Sequence, residues 1–277
     1  MKHQHQRTPV DWMRGKAKEI RRDILISLAG AGSGHTGGSL GLADLFTVLY
    51  FQQLHYRANE PGWEDRDRLV LSIGHVAPVL YATLAHAGFF PTDELMTLRQ
   101  LGSRLQGHPG RDHGLPGLEL SAGSLGQGLS VGVGMALAAT LKKKNHKIVV
   151  VCGDGELQEG SVWEAAMSAA HHQLENLVTI VDRNFLQIDG NTSEVMEIEP
   201  LADKWISFGW RVVTCDGNDI ESLLEKLPEV WNSDGRPTLL IANTTMGKGV
   251  PAIENDHAWH GKAPSKEELV HFLNTLY

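Results

Sequence analysis

The chain has 277 residues, a formal net charge of −8, 42% hydrophobic residues and 21% charged ones. That length can bury a substantial core and that balance belongs to a folded protein rather than a disordered one. An acidic surplus excludes a broad nucleic-acid footprint, which needs a basic face, so any anionic ligand must be held locally.

Residues 1–10 are expected to form a flexible tail ahead of a single domain over 1–277. The opening, Met1 to Gln6, lacks the apolar stretch of a secretory signal, and no window approaches a membrane span. A cytoplasmic location with no membrane contact is therefore expected. Cys152 and Cys215 lie inside apolar runs and read as small core residues, not as a disulfide scaffold or a CxxC metal knuckle.

From residue 11 to 29, Met13, Ala17, Ile20, Ile24 and Leu28 recur at helical spacing before Gly30 to Gly34 break the pattern. A short strand is expected at Arg68 to Ser72, a helix from Ala77 to Ala87 and another from Thr92 to Leu101. The stretch from Gly102 to Gly123, rich in Gly, Pro and His, reads as a working loop. A helix of small residues follows from Ser124, through Gly126 to Ala139, and ends at Lys142 to Lys144; its glycines imply that tertiary contacts hold it.

Beyond it the pattern predicts strands at 147–152, 177–182, 210–214 and 237–242, alternating with helices at 160–173, 199–208 and 219–227. Ser265 to Glu268 is a capping box that opens a last helix. Such alternation predicts an α/β fold, a mostly parallel sheet with helices on both faces.

The most informative motif is Gly153-Asp154-Gly155 at the end of the apolar run Lys147 to Cys152. It places a carboxylate at the carboxyl end of a buried strand, where open α/β sheets bind ligands. The next apolar run, Leu177 to Val181, delivers Asn184 to the same edge. A carboxylate and an amide oxygen, with nearby carbonyls, suit a magnesium ion that also carries phosphate oxygens, and so imply a diphosphate cofactor. Both residues also have ordinary uses, as a helix cap and as a turn residue.

His35, His75, His108 and His260 each sit beside glycine. Glycine lets a ligand approach the backbone, and imidazole exchanges protons near neutral pH. Four such loops could converge on a polar, anionic substrate, although any single histidine among the chain's 14 is more often structural. His257 and His260, three apart, lack a third partner for a metal site.

Taken in order, Ser33-Gly-His35-Thr-Gly-Gly-Ser-Leu-Gly41, Asp65 to His75, Leu101 to Pro109, Gly123-Ser-Leu-Gly-Gln-Gly128, Gly153-Asp-Gly-Glu-Leu-Gln-Glu-Gly160, Asp182-Arg-Asn184, Ile188-Asp-Gly190 and His260-Gly261 closely resemble the amino-terminal part of transketolases. The resemblance runs from about residue 11 to 275. It implies the diphosphate-binding domain of a thiamine diphosphate fold. Asp154, Asn184 and the Leu186 carbonyl would hold magnesium, with calcium or manganese as substitutes. His75, Gly155 and His260 would contact the diphosphate, while Gly123 and Leu125 would lie along the cofactor. His35, His108 and His260 would face the sugar as proton-handling residues. Glu159 and Glu164 match family carboxylates at the subunit interface near the cofactor's activating machinery.

The resemblance also implies two-carbon ketol transfer from a ketose phosphate to an aldose phosphate, in carbohydrate metabolism of the pentose phosphate type. The chain ends at Tyr277, whereas a full transketolase carries two further domains, so a separate partner bearing the pyrimidine-binding domain is expected, assembled as a 2+2 heterotetramer. Thr36 and Ser124 stand where many transketolases carry proline. Two alternatives are another carbon–carbon lyase or ligase using the same cofactor, such as a dihydroxyacetone- or deoxysugar-phosphate-forming enzyme, and a non-catalytic scaffold.

Overall fold

Runs rich in valine, isoleucine and leucine become the five strands of one parallel sheet. A computed structural model of the chain describes residues 9–232 and 234–277. The expected tail lies outside the described residues, except that Pro9 caps and Val10 opens the first helix.

In chain order the helices are α1 Val10–Ala31, α2 Thr36–Gly41, α3 Ala43–Val48, α4 Ala77–His86, α5 Gly128–Leu141, α6 Gly160–His171, α7 Thr192–Val195, α8 Leu201–Ser207, α9 Ile220–Trp231 and α10 Lys266–Thr275. The strands are β1 Arg68–Leu71, β2 Ile148–Gly153, β3 Leu177–Arg183, β4 Leu186–Gln187, β5 Gly190–Asn191, β6 Arg211–Asp216 and β7 Thr238–Asn243. Five of them form a parallel sheet in the order β1-β2-β3-β7-β6, and β4 with β5 makes a small antiparallel hairpin.

Alternation along the central strands divides the core in two. Val149 and Val151 of β2 join Met13, Phe46, Leu80, Leu223 and Phe272 on one face, while Val150 and Cys152 join Leu129, Val162, Trp205 and Trp210 on the other. The period of two turns successive side chains to opposite layers, so β2 is apolar throughout because both its faces are covered. Helices α1, α3, α4 and α9 pack on the first face; α5, α6 and α8 pack on the second. Both cysteines are buried and free.

Three expectations need correction. Thr92–Thr97 is a 3-10 turn, not the helix expected to Leu101; Arg99 at φ 61° and Gly102 at φ 81° turn the chain left-handed and stop it. Helix α5 begins at Gly128 rather than Ser124, because Gly126 adopts φ 80° and its N–H donates to Glu156 instead of to a helical carbonyl. Between His35 and Gln53, α2, α3 and a π turn form where no helix was expected. These turns are buried almost all round, so they lack the polar and apolar alternation that announces a helix.

Helix α2 is set by close backbone packing. A Cβ on Gly37 would lie 2.5 Å from Met246, and one on Gly41 would lie 2.9 Å from the Thr245 carbonyl. The buried Arg21 of α1 donates to Asp44 of α3 at 3.0 Å, and Asn218 bonds the Gly41 carbonyl and Asp44. The result fixes His35, the residue before α2.

Helix α5 differs from the other long helices in being apolar on every side, yet Val131, Met135 and Leu137 are only half-buried and Leu141 is exposed. With Met167 of α6 also exposed, this leaves apolar surface in water.

Candidate functional site

The carboxyl ends of β2 and β3 lie side by side, with Gly153 registered against Asp182. Beyond them Asp154, Gly155 and Asn184 enter a cavity of about 300 Å³. The same cavity is lined by His35, His75, His108, His260, Gly123, Leu125 and Leu186. Ten of the twelve residues singled out in the sequence therefore meet in one place. Glu159 and Glu164 do not line it; both are exposed at the start of α6.

Asp154 is buried. Its carboxylate accepts hydrogen bonds from Gly155 N–H at 2.8 Å, Phe185 N–H at 2.7 Å and the Arg183 guanidinium at 2.9 Å. It also caps the 3-10 turn Gly155–Gln158, so the helix-cap use and the cavity position coincide. Burial pushes its pKa upward, against the pull of Arg183 and the two N–H groups. Arg183 in turn reaches Glu199 and lies over the Phe185 ring at 3.9 Å.

Asn184 stands between a donor and an acceptor that settle its amide orientation. Its Oδ1 accepts from Leu186 N–H at 2.9 Å, and its Nδ2 donates to Asp182 at 3.0 Å. Asp182 is also bonded by the Thr244 hydroxyl. Burial pushes the Asp182 carboxyl up to about 7, and the neighbouring charge of Asp154 adds to the rise.

Four imidazoles line the same cavity as a cluster. The ring of His35 lies 5.1 Å from His75, 5.8 Å from His260 and 6.1 Å from His108, and His75 lies 5.0 Å from His260. Desolvation, helped by the neighbouring imidazoles, lowers His35 to about 4 and His75 to about 3. Burial lowers His108 and His260 as well. Nδ1 of His35 and Nδ1 of His260 are buried without a hydrogen-bond partner. Such orphaned atoms are uncommon in a folded protein and suit a site that receives a polar ligand.

A family profile described as "Transketolase, thiamine diphosphate binding domain" matches residues 14–276. The chain belongs to the transketolase family. It is 43% identical to one of the apulose-4-phosphate transketolase subunits of Actinobacillus succinogenes over 267 residues, 96% of this chain and 96% of that one. It is 40% identical to the 6-deoxy-6-sulfo-D-fructose transketolase subunit SqwG of a Clostridium species, covering 91% of each. Among solved structures, the transketolase of Campylobacter jejuni superposes with a TM-score of 0.90 at 33% identity, over 96% of this chain and 43% of that chain.

The donor set of this transketolase domain suits the cofactor of the family. A carboxylate offers about four lone-pair positions and an amide oxygen two. Asp154 spends three and the Asn184 oxygen one, so each keeps one for a cation, beside the main chain of Leu186. Hard oxygen donors of this kind match magnesium, which retains water and phosphate oxygens in its remaining positions. A divalent ion there would also offset the paired burial of Asp154 and Asp182.

Two residues that the sequence reading left without a role hold the site together. Glu156, 1% exposed, accepts from Ser72 Oγ, from Gly126 N–H at 2.8 Å and from Gly153 N–H at 3.3 Å. It thereby clamps the loop that carries Leu125 onto the ends of β1 and β2. Asp182 orients Asn184. Both lie inside motifs quoted above; the available signal was an acidic side chain at the end of the apolar strand β3 for Asp182 and in the turn just after β2 for Glu156.

Proposed function

We propose that this chain is the diphosphate-binding subunit of a two-chain transketolase, and that with its partner it moves a two-carbon ketol unit from a ketose phosphate to an aldose phosphate. The single observation that carries the reading is the convergence of Asp154, Asn184 and four imidazoles on one cavity in a chain of this family. The names of its relatives, which are those of separate transketolase subunits, support a partner chain.

In this reading Asp154, Asn184 and the Leu186 carbonyl hold magnesium, with calcium or manganese able to replace it. His75, His260 and Gly155 N–H hold the diphosphate, and Gly123 and Leu125 flank the cofactor. When bound, thiamine diphosphate supplies the electron sink for carbon–carbon cleavage. Negative charge placed beside His75 and His260 raises their pKa toward the range in which imidazole exchanges protons. His35, His108 and His260 bind the hydroxyls of the donor sugar and take or return protons at their ring nitrogens. The unpartnered Nδ1 atoms of His35 and His260 support that assignment.

Exposed Glu159 and Glu164 belong to a surface beside the cavity, suited to meet the partner chain that brings the pyrimidine-binding domain. The apolar outer face of α5 supports a larger assembly, for which a 2+2 heterotetramer in the cytoplasm is the proposed form. Among the described residues no helix is long and apolar enough to cross a membrane.

The test is to mix the purified chain with its partner, thiamine diphosphate and magnesium and to follow two-carbon transfer from ketose donors to aldose acceptors. Activity with ketose phosphates, and none with either chain alone, is expected. Inactivity across all ketose donors, or preference for pyruvate as donor, would overturn the reading in favour of a different carbon–carbon enzyme.

A further inference from the structure

Arg99 has no part in the site as described, yet its placement is specific. Its backbone is left-handed at φ 61°, a conformation disfavoured for a residue with a side chain. Arg99 N–H donates to the Leu105 carbonyl at 2.8 Å, and the flanking Leu98 and Leu105 are buried. The strained residue is thus pinned from both sides.

This conformation sends the guanidinium between the two loops that carry His35 and His108. A Cβ on Gly107 would lie 2.6 Å from Cζ of Arg99, and a Cβ on Gly34 would lie 3.6 Å from its Nε. Glycine immediately before each of the two histidines therefore leaves the slot that Arg99 fills. Its side chain makes one long hydrogen bond there, from Nη1 to Ser33 Oγ at 3.5 Å.

Arg104, five residues on, shows the usual alternative: both of its forks are closed on Glu94 at 2.9 and 2.8 Å. No carboxylate pairs with Arg99 among the described residues. Its charge still reaches both neighbours, disfavouring protonation of His35 and His108 after burial has already done so. A half-buried guanidinium with free donors, beside imidazoles assigned to the sugar, is a receptor for a tetrahedral oxyanion, which matches its fork bidentately. A chain with a net charge of −8 can hold such an anion only at a local cation of this kind.

We propose that Arg99 is a specificity-determining residue that binds the anionic end group, phosphate or sulfonate, of the ketose whose hydroxyls face His35 and His108. The inference rests on the two-carbon-transfer reading and deepens it by giving this chain its own hold on the substrate tail.

The experiment uses the complex of this chain with its partner, carrying wild-type, Arg99→Met or Arg99→Lys. Three donors are compared: a ketose, the same ketose as its phosphate ester, and a sulfonated ketose. Wild-type transfer from the neutral ketose tests the functional reading by itself. Arg99→Met is expected to lower kcat/KM for the charged donors by about 10- to 100-fold, the range for a hydrogen bond to a charged group. The neutral donor should stay within about twofold, and Arg99→Lys should recover part of the loss. Loss on only one charged donor would identify which oxyanion the site reads. Equal loss on neutral and charged donors, or no loss on either charged donor, would overturn the proposal. Calorimetric titration of the same complexes with ketose phosphate separates the two readings. Binding that Arg99→Met leaves unchanged refutes the role of Arg99 whether or not transfer occurs; binding that it abolishes, with thiamine diphosphate still bound, upholds that role.

Discussion

The Thr36 hydroxyl donates to the main-chain carbonyl of Lys262 at 2.6 Å, joining segments 226 residues apart. The bond ties the start of α2, just after His35, to the segment that contains His260 and Gly261, and so helps to fix two of the four imidazoles relative to one another. Proline, which many transketolases carry here, could not make it. Thr36→Val should lower activity by about 5-fold, consistent with one lost hydrogen bond of about 1 kcal/mol, while thiamine diphosphate affinity changes little. Steady-state kinetics beside cofactor titration would check it, and equal damage to both would mean the tie supports the whole cavity.

Asp154→Asn keeps the shape of the side chain but removes the charge that faces both Arg183 and the proposed cation. Magnesium-dependent retention of thiamine diphosphate should be lost. Because Arg183 keeps Thr192 and Glu199 as partners, the fold should persist with a stability loss of about 1–3 kcal/mol. Thermal unfolding with and without magnesium and cofactor provides the check: the ligand-induced rise in Tm should vanish while a cooperative transition remains. Loss of the cooperative transition would make Asp154 primarily structural.

Glu156 is buried, with the Ser72 hydroxyl, the N–H groups of Gly126 and Gly153 and the Cys152 thiol as donors around it, and no cation pairs with it among the described residues. Glu156→Gln retains acceptor capacity through its amide oxygen and should be tolerated. Glu156→Leu leaves Ser72 and the N–H groups of Gly126 and Gly153 without their acceptor, and should cost about 2–4 kcal/mol with loss of cofactor binding as the Leu125 loop is released. Urea unfolding midpoints would rank the two variants.

The histidine cluster gives a pH dependence of known sign. His35 and His75, ordinarily near 6.5, are held at about 4 and about 3 in the folded chain. Between those values the unfolded chain binds more protons than the folded one, so stability rises with pH across that window. The chain without cofactor should be most stable above about pH 6.5 and lose stability as pH falls toward 4. His35→Asn combined with His75→Asn should flatten that slope in a plot of urea midpoint against pH. Diphosphate binding reverses the imbalance by favouring protonated imidazole, so cofactor binding near pH 7 should take up protons, measurable as buffer-dependent heats in calorimetry.

His108→Ala should lower transfer activity with much less effect on cofactor affinity, because the His108 ring neighbours His35 at 6.1 Å and, in the proposed reading, faces the sugar rather than the diphosphate. Parallel kinetics and cofactor titration would expose an error in that placement if both fell together.

Most of the sheet was legible because β2, β3 and β7 are buried on both faces and read as unbroken apolar runs. Asp154 and Asn184 were legible for the same reason: each stands within three residues of the end of such a run, where an α/β sheet presents its ligand edge. The segment around α2 and α3 was not, since uniform burial erases periodicity and Gly37 and Gly38 argue against a helix that Met246 and Val76 in fact hold in place. The roles of Glu156 and Asp182 escaped because they depend on neighbours distant in sequence, Ser72 with Gly126 for one and Thr244 for the other. Arg99 was invisible for a different reason: its meaning comes from a left-handed φ that arginine rarely adopts, and nothing in its local sequence announces that turn.

Helix α5, greasy on all sides and half uncovered, governs how the polypeptide behaves during preparation. Expressed alone it should self-associate and foul columns as concentration rises, and on the proposed two-chain reading co-production with the partner should raise the yield of monodisperse material.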